Sequence, residues 1–81
     1  SNIKCLTFAN ANVGEIKAKP NSKVTKKLIK NLNPPSDMTF GALIRNGEPI
    51  LIDGETQIEP YDQVVVFFLS KSLKNIETLF N

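Results

Sequence analysis

Residues 40–52 read FGALIRNGEPILI, and this stretch decides the fold. The Asn-Gly pair at 46–47 separates two runs of strand-forming residues and favours a type I′ turn, whose two central residues both need positive φ. In such a two-residue hairpin Arg45 pairs with Glu48, and the missing N–H of Pro49 points away from the partner strand. The stretch therefore predicts a β-hairpin whose second strand lies at a sheet edge or is bulged near Pro49. A cross-strand ion pair between Arg45 and Glu48 is also expected.

A second strong signal lies downstream, at residues 64–69, which read VVVFFL. A strand that is apolar on both faces is typical of one that is covered on both sides. In so small a domain the second cover is either a helix or another subunit. Ser70 or Ser72 then offers an N-cap for a last helix. The apolar stripe of that helix comprises Leu73, Ile76, Leu79 and Phe80.

Upstream of the hairpin, the pattern predicts two strands and a helix. The strands are expected at residues 3–8 and 13–18. Ser22 is suited to cap a helix over residues 23–32, because its hydroxyl can accept a hydrogen bond from a free amide of the first turn. The prolines that follow end this helix. Helical spacing sets Val24, Leu28 and Leu32 on the inner side and Lys23, Lys26, Lys27 and Lys30 on the outer side.

The order strand, strand, helix, hairpin, strand, helix predicts an α+β fold with a small, mainly antiparallel sheet and two helices. With 81 residues, the chain is expected to form one domain over residues 3–81. Ser1 and Asn2 resemble a remnant of tag removal, and Met38 is the only methionine. The chain is therefore expected to be part of a longer protein.

The composition argues against catalysis. The chain has no histidine, so the usual general base of Ser and Cys nucleophile sites is missing. Cys5 is the only cysteine, which excludes an internal disulfide and a Cys/His zinc set and fits a cytosolic compartment. In its apolar setting Cys5 is expected to be buried or strand-facing rather than reactive. We predict no catalytic residues and, since no apolar run approaches roughly 18 residues, no direct membrane insertion.

Charge is distributed unevenly along the chain. Residues 1–38 contain seven lysines and two acids, a net charge of +5, whereas residues 39–81 contain three basic and six acidic residues, a net charge of −3. The lysines of the first predicted helix could meet phosphates, anionic lipid or an acidic protein. A solvated helix face is the simpler interpretation, because no aromatic residues interleave with the lysines as a base-stacking surface would need. A nucleic-acid partner is therefore not predicted.

Neither a metal site nor a dinucleotide site is predicted in this domain. The four glycines lie apart, so no Gly-x-Gly-x-x-Gly loop is present. Four acids cluster near turns, but their spacing is not that of an EF-hand. They are Asp53, Glu55, Glu59 and Asp62. The domain is expected to hold no metal and no cofactor of its own.

Three stretches, in order, resemble a known family. They are FGALIRNGE at 40–48, ILIDGETQIEPYDQVVVF at 50–67 and IETLF at 76–80. With the predicted helix at 22–32, they resemble TrkA_C, the C-terminal domain family of TrkA regulators of Trk potassium uptake. The wider family is that of the RCK domains, which regulate the conductance of potassium, and the resemblance covers residues 13–80. Tyr61 stands where the family often has Gly, so a left-handed turn there would be penalised.

The resemblance implies an RCK C-terminal (TrkA_C) fold in a cytoplasmic subunit, peripheral to the inner face of the membrane, that gates a membrane potassium transporter subunit. A separate N-terminal domain, not contained in this chain, would bind NAD or adenine nucleotides. Domains of this type form homodimers, and some relatives bind cyclic di-AMP between the two copies. The usual ligand-contacting region of the family is the hairpin and its interface, which here points to Ile44, Arg45 and Asn46.

The expected function is therefore a dimerising, ligand-sensing or coupling module of a Trk-type potassium uptake system. The alternative is a purely structural oligomerisation domain that has no ligand of its own. A thermal shift with nucleotides, including cyclic di-AMP, separates the two, because a ligand that binds the folded state raises its stability.

Overall fold

The computed structural model describes residues 3–81, whose strands form one antiparallel sheet in the order β1-β2-β5-β3-β4. The strands are β1 Ile3–Phe8, β2 Ala11–Lys17, β3 Met38–Arg45, β4 Glu48–Leu51 and β5 Gln63–Leu69. The one α-helix in this part of the chain, α1 at Leu73–Phe80, follows the last strand. The predicted α+β class is confirmed, and the expected tag remnant at 1–2 lies outside the described residues.

The predicted hairpin forms from β3 and β4. The two strands pair in the expected register, with Ile44 opposite Pro49. Asn46 and Gly47 have φ values of 51° and 78°, as a type I′ turn requires. β4 lies at the end of the strand order, so it is an edge strand and Pro49 removes no ladder hydrogen bond from the sheet.

β5 is the central strand, and its two faces have different surroundings. It pairs with β2 on one side and with β3 on the other. Val64, Val66 and Phe68 point into the core and are buried. Because successive side chains of a strand alternate between faces, Phe67 and Leu69 lie on the opposite face, where they remain exposed. The described residues therefore cover one face of a strand that was predicted to be covered on both.

A layer of short helical segments covers the buried face of the sheet. Ile76 and Phe80 of α1 are fully buried in the core, and the Phe80 ring centre lies 6.4 Å from that of Phe40. α1 follows a 3-10 turn at Ser70–Ser72. Ser72 occupies the N-cap position, as predicted, but its side chain makes no capping hydrogen bond. The position of the last helix is thus confirmed, while the predicted cap contact is not formed.

The predicted α-helix over residues 23–32 is wrong. Two 3-10 turns, Lys23–Thr25 and Ile29–Asn31, occupy this segment. Leu28, between them, is extended, with φ of −61° and ψ of 153°, which interrupts any continuous helix. Val24 is nevertheless fully buried. The apolar spacing therefore identified an inward-facing residue correctly but not the backbone conformation.

Hydrogen bonds to a distant turn explain this break. The amides of Ile29 and Lys30 each donate at 2.9 Å to a carbonyl of the turn at residues 54–56. In an α-helix the same amides would bond to carbonyls four residues earlier. Ser22 does not cap the first turn either, since its hydroxyl donates to the carbonyl of Lys19 at 2.6 Å. Residues 3–81 therefore contain one α-helix where the sequence predicts two.

The turn before β5 is left-handed even though Tyr61 occupies it. Its φ is 73°, in the region that penalises bulky side chains. The amide of Tyr61 donates to the carbonyl of Ala18 at 2.7 Å, and the amide of Ala18 donates to the carbonyl of Asp62 at 2.9 Å. These two hydrogen bonds tie the turn to the end of β2 and hold the strained residue in place.

Two further expectations concern the cysteine and the membrane. Cys5 lies in β1 and is exposed rather than buried. None of the helices within residues 3–81 combines the length and the apolar character that crossing a bilayer requires.

Candidate functional site at the hairpin end

The three predicted site residues lie together at the end of β3 but do not share a face. Neighbouring residues of a strand point to opposite sides of the sheet. Ile44 is in register with Gln63 of β5 and shares the side of Phe67, away from the core. Arg45 points to the opposite side, and Asn46 is exposed in the turn. The structure therefore brings Ile44, Arg45 and Asn46 to one end of the sheet without forming a single pocket from them.

Arg45 joins the hairpin to the loop that precedes β5. Its Nε and Nη2 atoms donate to the two carboxylate oxygens of Asp62, at 2.9 and 2.7 Å. Nη2 also donates to the carbonyl of Gln57 at 3.1 Å. Nη1 lies 3.1 Å from Oε2 of Glu59. The planar guanidinium is thus held by a bidentate pair and two further oxygens, an arrangement for which its fork of donors is suited.

The pair between Arg45 and Asp62 is largely withdrawn from water. The side chain of Asp62 is 2% exposed and that of Arg45 is 27% exposed. The hydrogen bond with Asp62 raises the pKa of Arg45, partial desolvation opposes that rise, and the negative charges of Asp62 and Glu59 add to it. The hairpin end therefore carries a fixed positive charge that the protein itself largely neutralises.

The predicted ion pair between Arg45 and Glu48 is wrong, because Arg45 turns to Asp62 and Glu59 instead. Glu48 is opposite in the β-ladder, but it is exposed on the edge strand. Asp62 lies on the other side of β3, where that strand pairs with β5. A carboxylate shielded from water attracts the guanidinium more strongly than a solvated one does.

The loop that supplies these partners is itself fixed at both ends. The amide of Glu59 donates to Oδ2 of Asp62 at 2.8 Å. At the other end, Nε2 of Gln57 donates to the carbonyl of Thr25 at 2.8 Å, which joins the loop to the first 3-10 turn. Glu59 is 56% exposed and is the most solvent-accessible of the carboxylates around Arg45. An anionic ligand would therefore compete first with Glu59 for the guanidinium.

The sequence pattern does not identify the partners of Arg45. Asp62 precedes the last strand and is, with Glu59, one of the four acids considered for a cation site, and neither is predicted as a partner of the arginine. The signal that could have found the pair is the adjacency of β3 and β5. That adjacency is a long-range pairing, which neither local turn chemistry nor hydrophobic period reveals.

The four acids considered for a cation site serve other contacts. Asp53 accepts the amide of Glu55 at 2.9 Å, and Glu55 pairs with Lys30 at 2.7 Å. Glu59 and Asp62 hold Arg45, as described above. Over residues 3–81 there is no group of three or more His, Cys, Asp or Glu side chains placed to hold a metal ion.

The lysines of the 3-10 segment lie beside a groove of their own. Lys23, Lys26 and Lys27 line a groove of about 380 Å³ beside Leu32 and Leu79. Since the segment is not an α-helix, these lysines do not form the continuous helix face that their spacing predicts.

Comparison with known proteins gives a consistent result. The TrkA-C domain family matches residues 13–81. The chain is 33% identical over 60 residues to a Trk system potassium uptake protein TrkA homolog of Archaeoglobus fulgidus, an alignment that covers 74% of the chain. It is 30% identical over 66 residues, 82% of the chain, to the Trk system potassium uptake protein TrkA of Azorhizobium caulinodans. The corresponding protein of Vibrio alginolyticus is 35% identical over 60 residues, 73% of the chain.

The chain is much shorter than these relatives. The aligned part spans 14% of the Archaeoglobus and Azorhizobium proteins and 13% of the Vibrio protein. The family match includes β3, β4, β5, α1 and most of β2, and it therefore contains the hairpin end and all the partners of Arg45. β1 lies outside it.

Proposed function

We propose that this chain, which belongs to the TrkA-C domain family, acts as a regulatory domain of a Trk-type potassium uptake system. The family match over residues 13–81 is the observation that carries this proposal. The named function of the relatives, Trk system potassium uptake, supports it. Domains of this family are regulatory and not catalytic, so the chain is not an enzyme.

The proposed mechanism needs no bond chemistry. The domain forms a homodimer with more than one arrangement, on the cytoplasmic side of the membrane, and is coupled to the potassium transporter subunit. A ligand shifts the balance between two arrangements only if it binds them with different affinity. A nucleotide-binding domain on the N-terminal side, which binds NAD or an adenine nucleotide, would add a second input. The domain 3–81 would then pass the change on to the transporter.

The hairpin end is the proposed ligand site of this domain. Ile44 offers an apolar contact and Asn46 an exposed amide, beside the positive charge of Arg45. Cyclic di-AMP is the probe of choice, because its phosphates suit a guanidinium and its bases suit apolar contacts. If it binds, the melting temperature rises with the concentration of the nucleotide.

Asn46→Gly is the variant that tests the site most cleanly. Glycine tolerates the positive φ of the turn, so the substitution removes the amide side chain without straining the hairpin. The nucleotide-dependent rise in melting temperature should shrink in this variant and stay unchanged in Lys74→Gln, a substitution on α1. A full-sized shift in Asn46→Gly would place the ligand elsewhere.

A purely structural oligomerisation domain is the second candidate, and the contacts of Arg45 favour it. Asp62, Glu59 and the carbonyl of Gln57 engage the guanidinium, which leaves little of it for a ligand. If neither cyclic di-AMP nor NAD nor ATP changes the melting temperature, this second candidate replaces the ligand-sensing one.

Potassium uptake by cells tests the regulatory role itself. The cells should depend on a full-length protein that carries this domain, and the comparison is with the same protein lacking residues 13–81. We expect the truncated protein to leave the transporter unregulated, so that uptake no longer follows the cellular potassium level. Identical uptake with and without the domain would refute the proposal.

A further inference from the structure

The side of the sheet opposite the helical layer is apolar and exposed. We call it the open face and define it by six side chains from three adjacent strands. They are Leu6, Phe8, Val13, Val65, Phe67 and Leu69. Four of them, namely Leu6, Phe8, Phe67 and Leu69, are among the exposed large hydrophobic residues of the described chain.

The strand register makes the open face continuous. Leu6 of β1 is opposite Val13 of β2, and Val13 is in turn opposite Phe67 of β5. The neighbouring row runs from Phe8 through Ala11 to Leu69. Cross-strand neighbours on one face lie about 5 Å apart, so these two rows form one patch and not scattered single residues.

β1 enlarges this patch and lies outside the family match. Its Leu6 and Phe8 side chains are 66% and 67% exposed. Side chains that remain so exposed add little to the folding free energy, because the hydrophobic gain scales with the apolar area removed from water. An edge strand that presents a leucine and a phenylalanine to water is also an association hazard unless it is covered. The placement of Leu6 and Phe8 is explained if another protein surface covers them.

The surface is shaped to receive side chains. The Phe67 ring lies over Gly41 of β3, so closely that a methyl group at Gly41 would stand 2.7 Å from ring atom Cε2. Beside it, a groove of about 280 Å³ runs between Phe8, Val13, Phe67 and Leu69. The groove beside the Phe67 ring is a recess that an apolar side chain can enter.

The charge of the open face suits a copy of the same chain. Lys4 and Glu15 are cross-strand neighbours on this face, so their charges offset each other, and Lys17, opposite Gln63, adds one positive charge. The lysine cluster at 23–27 belongs to the layer that covers the other side of the sheet. An anionic membrane or nucleic acid would need basic residues around the apolar patch. An apolar face whose strand residues sum to a charge of only +1 repels a second copy weakly, which is a condition of a two-fold interface.

The exposed area is of the right order for a dimer. The six side chains leave on the order of 500 Å² accessible, given their exposed fractions. Stable interfaces bury about 800 Å² on each partner, and the flanking residues of β3 and β4 add to the patch. Leu51 of β4 is on the same face, opposite Ala42, and is 85% exposed.

We propose that a second copy of this chain packs its open face against that of the first, as two stacked sheets related by a two-fold axis. β1 supplies the outer part of the interface in each copy, and Phe8 or Leu6 of one copy enters the groove beside Phe67 of the other. Stacked sheets lie about 10 Å apart and bury both inner faces. This inference rests on the homodimer part of the proposed function and gives that dimer a specific surface.

Sedimentation analysis of the chain and of two charge variants tests the interface. The wild type should be dimeric within the range from about 1 to about 200 µM. Phe8→Lys and Phe67→Lys should each raise the dissociation constant at least about 30-fold, since each buries an unpaired charge within the contact. Tyr61→Lys is the matched control, because Tyr61 is 66% exposed and lies in the turn before β5, not among the side chains of the open face. It should dimerise like the wild type.

Amide spectra recorded during dilution of the wild type locate the contact independently of any variant. Signals of β1, β2 and β5 should move as the dimer dissociates, and those of α1 should not. Circular dichroism confirms that the variants fold, and Leu6→Lys replaces either variant that does not. A dimer that survives these substitutions, or that shifts the signals of α1 instead, overturns the proposed surface while the dimer itself stands. A wild type that is monomeric throughout the concentration range overturns both the proposed surface and the dimer. The regulatory role in potassium uptake is tested separately, by the truncation of residues 13–81.

Discussion

At the scale of single residues, Arg45 and Asp62 carry the most consequential contact of the fold. The carboxylate of Asp62 is almost completely buried and depends on one guanidinium for its charge balance. Removing one partner of such a pair leaves an uncompensated buried charge, which is far more costly than losing an exposed pair. β3 is held to the domain by its pairing with β5, and this contact adds a tie between the end of the hairpin and the loop before β5.

Arg45→Met should therefore lower the free energy of unfolding by about 3 kcal/mol, measured by urea denaturation. Lys30→Met is the matched control, because Lys30 pairs with Glu55 where both side chains are exposed. That substitution should cost less than about 0.5 kcal/mol. Similar losses in both variants would show that the pair with Asp62 has no special role.

The contribution of Arg45 to the free energy of unfolding should not vary with pH near neutrality. Because its pKa is raised on folding, the stabilisation is complete below the pKa of the unfolded state. It is lost only as the pH rises through the higher pKa of the folded state, in strong alkali. Urea denaturation at pH 7, 8 and 9 should give the same difference between wild type and Arg45→Met within about 0.5 kcal/mol. A difference that fell steadily over this range would contradict the assignment.

Replacing Tyr61 should stabilise the domain, whereas replacing Arg45 should destabilise it. Its φ of 73° carries a steric cost that glycine avoids, and its exposed ring contributes little packing. Tyr61→Gly should raise the free energy of unfolding by roughly 0.5 kcal/mol, after the added chain entropy of glycine is subtracted. Gly47→Ala, at a φ of 78°, should lower it by about 1 kcal/mol. Loss of stability in Tyr61→Gly would mean that the ring makes contacts that its exposure does not suggest.

At the scale of elements, the hairpin was predictable and the segment at 23–32 was not. The Asn-Gly turn fixes β3 and β4 through local chemistry alone, and the structure follows it. The lysine-rich segment has a helical hydrophobic period, yet two of its amides donate hydrogen bonds to carbonyls of the turn at 54–56. Local periodicity contains no information about a hydrogen-bond acceptor more than twenty residues away, and the prediction failed for that reason.

Backbone chemical shifts should show this difference directly. Residues 73–80 should give the positive Cα secondary shifts of an α-helix, and Leu28 should give an extended value. Slow amide exchange is expected at Ile29 and Lys30, because their amides are bonded to the turn. A continuous run of helical shifts from 23 to 32 would contradict the two 3-10 turns.

The candidate site shows the same boundary between local and long-range information. The sequence and the family resemblance pointed to Ile44, Arg45 and Asn46, and all three lie at the hairpin end. Their division between two faces of the sheet follows from strand alternation and could have been foreseen. The ion pair between Arg45 and Asp62 could not have been foreseen, because it requires β3 to lie beside β5.

At the scale of the whole molecule, the open face connects the fold to its proposed role. The two-sided apolar character of 64–69 was visible in the sequence and indicated a second cover. The participation of Leu6 and Phe8 was not visible, because it depends on β1 joining β2 and on β2 joining β5. A regulatory domain that works by changing the arrangement of two copies needs such a surface, and the open face provides one outside the hairpin end.

The most direct test combines the surface with the function. Potassium uptake should be measured in cells that depend on the full-length protein carrying this domain, with Phe8→Lys compared with Tyr61→Lys. We predict that Phe8→Lys abolishes the response of uptake to cellular potassium, as removal of the whole domain does, while Tyr61→Lys responds like the wild type. Normal regulation by a folded, monomeric Phe8→Lys domain would contradict the account.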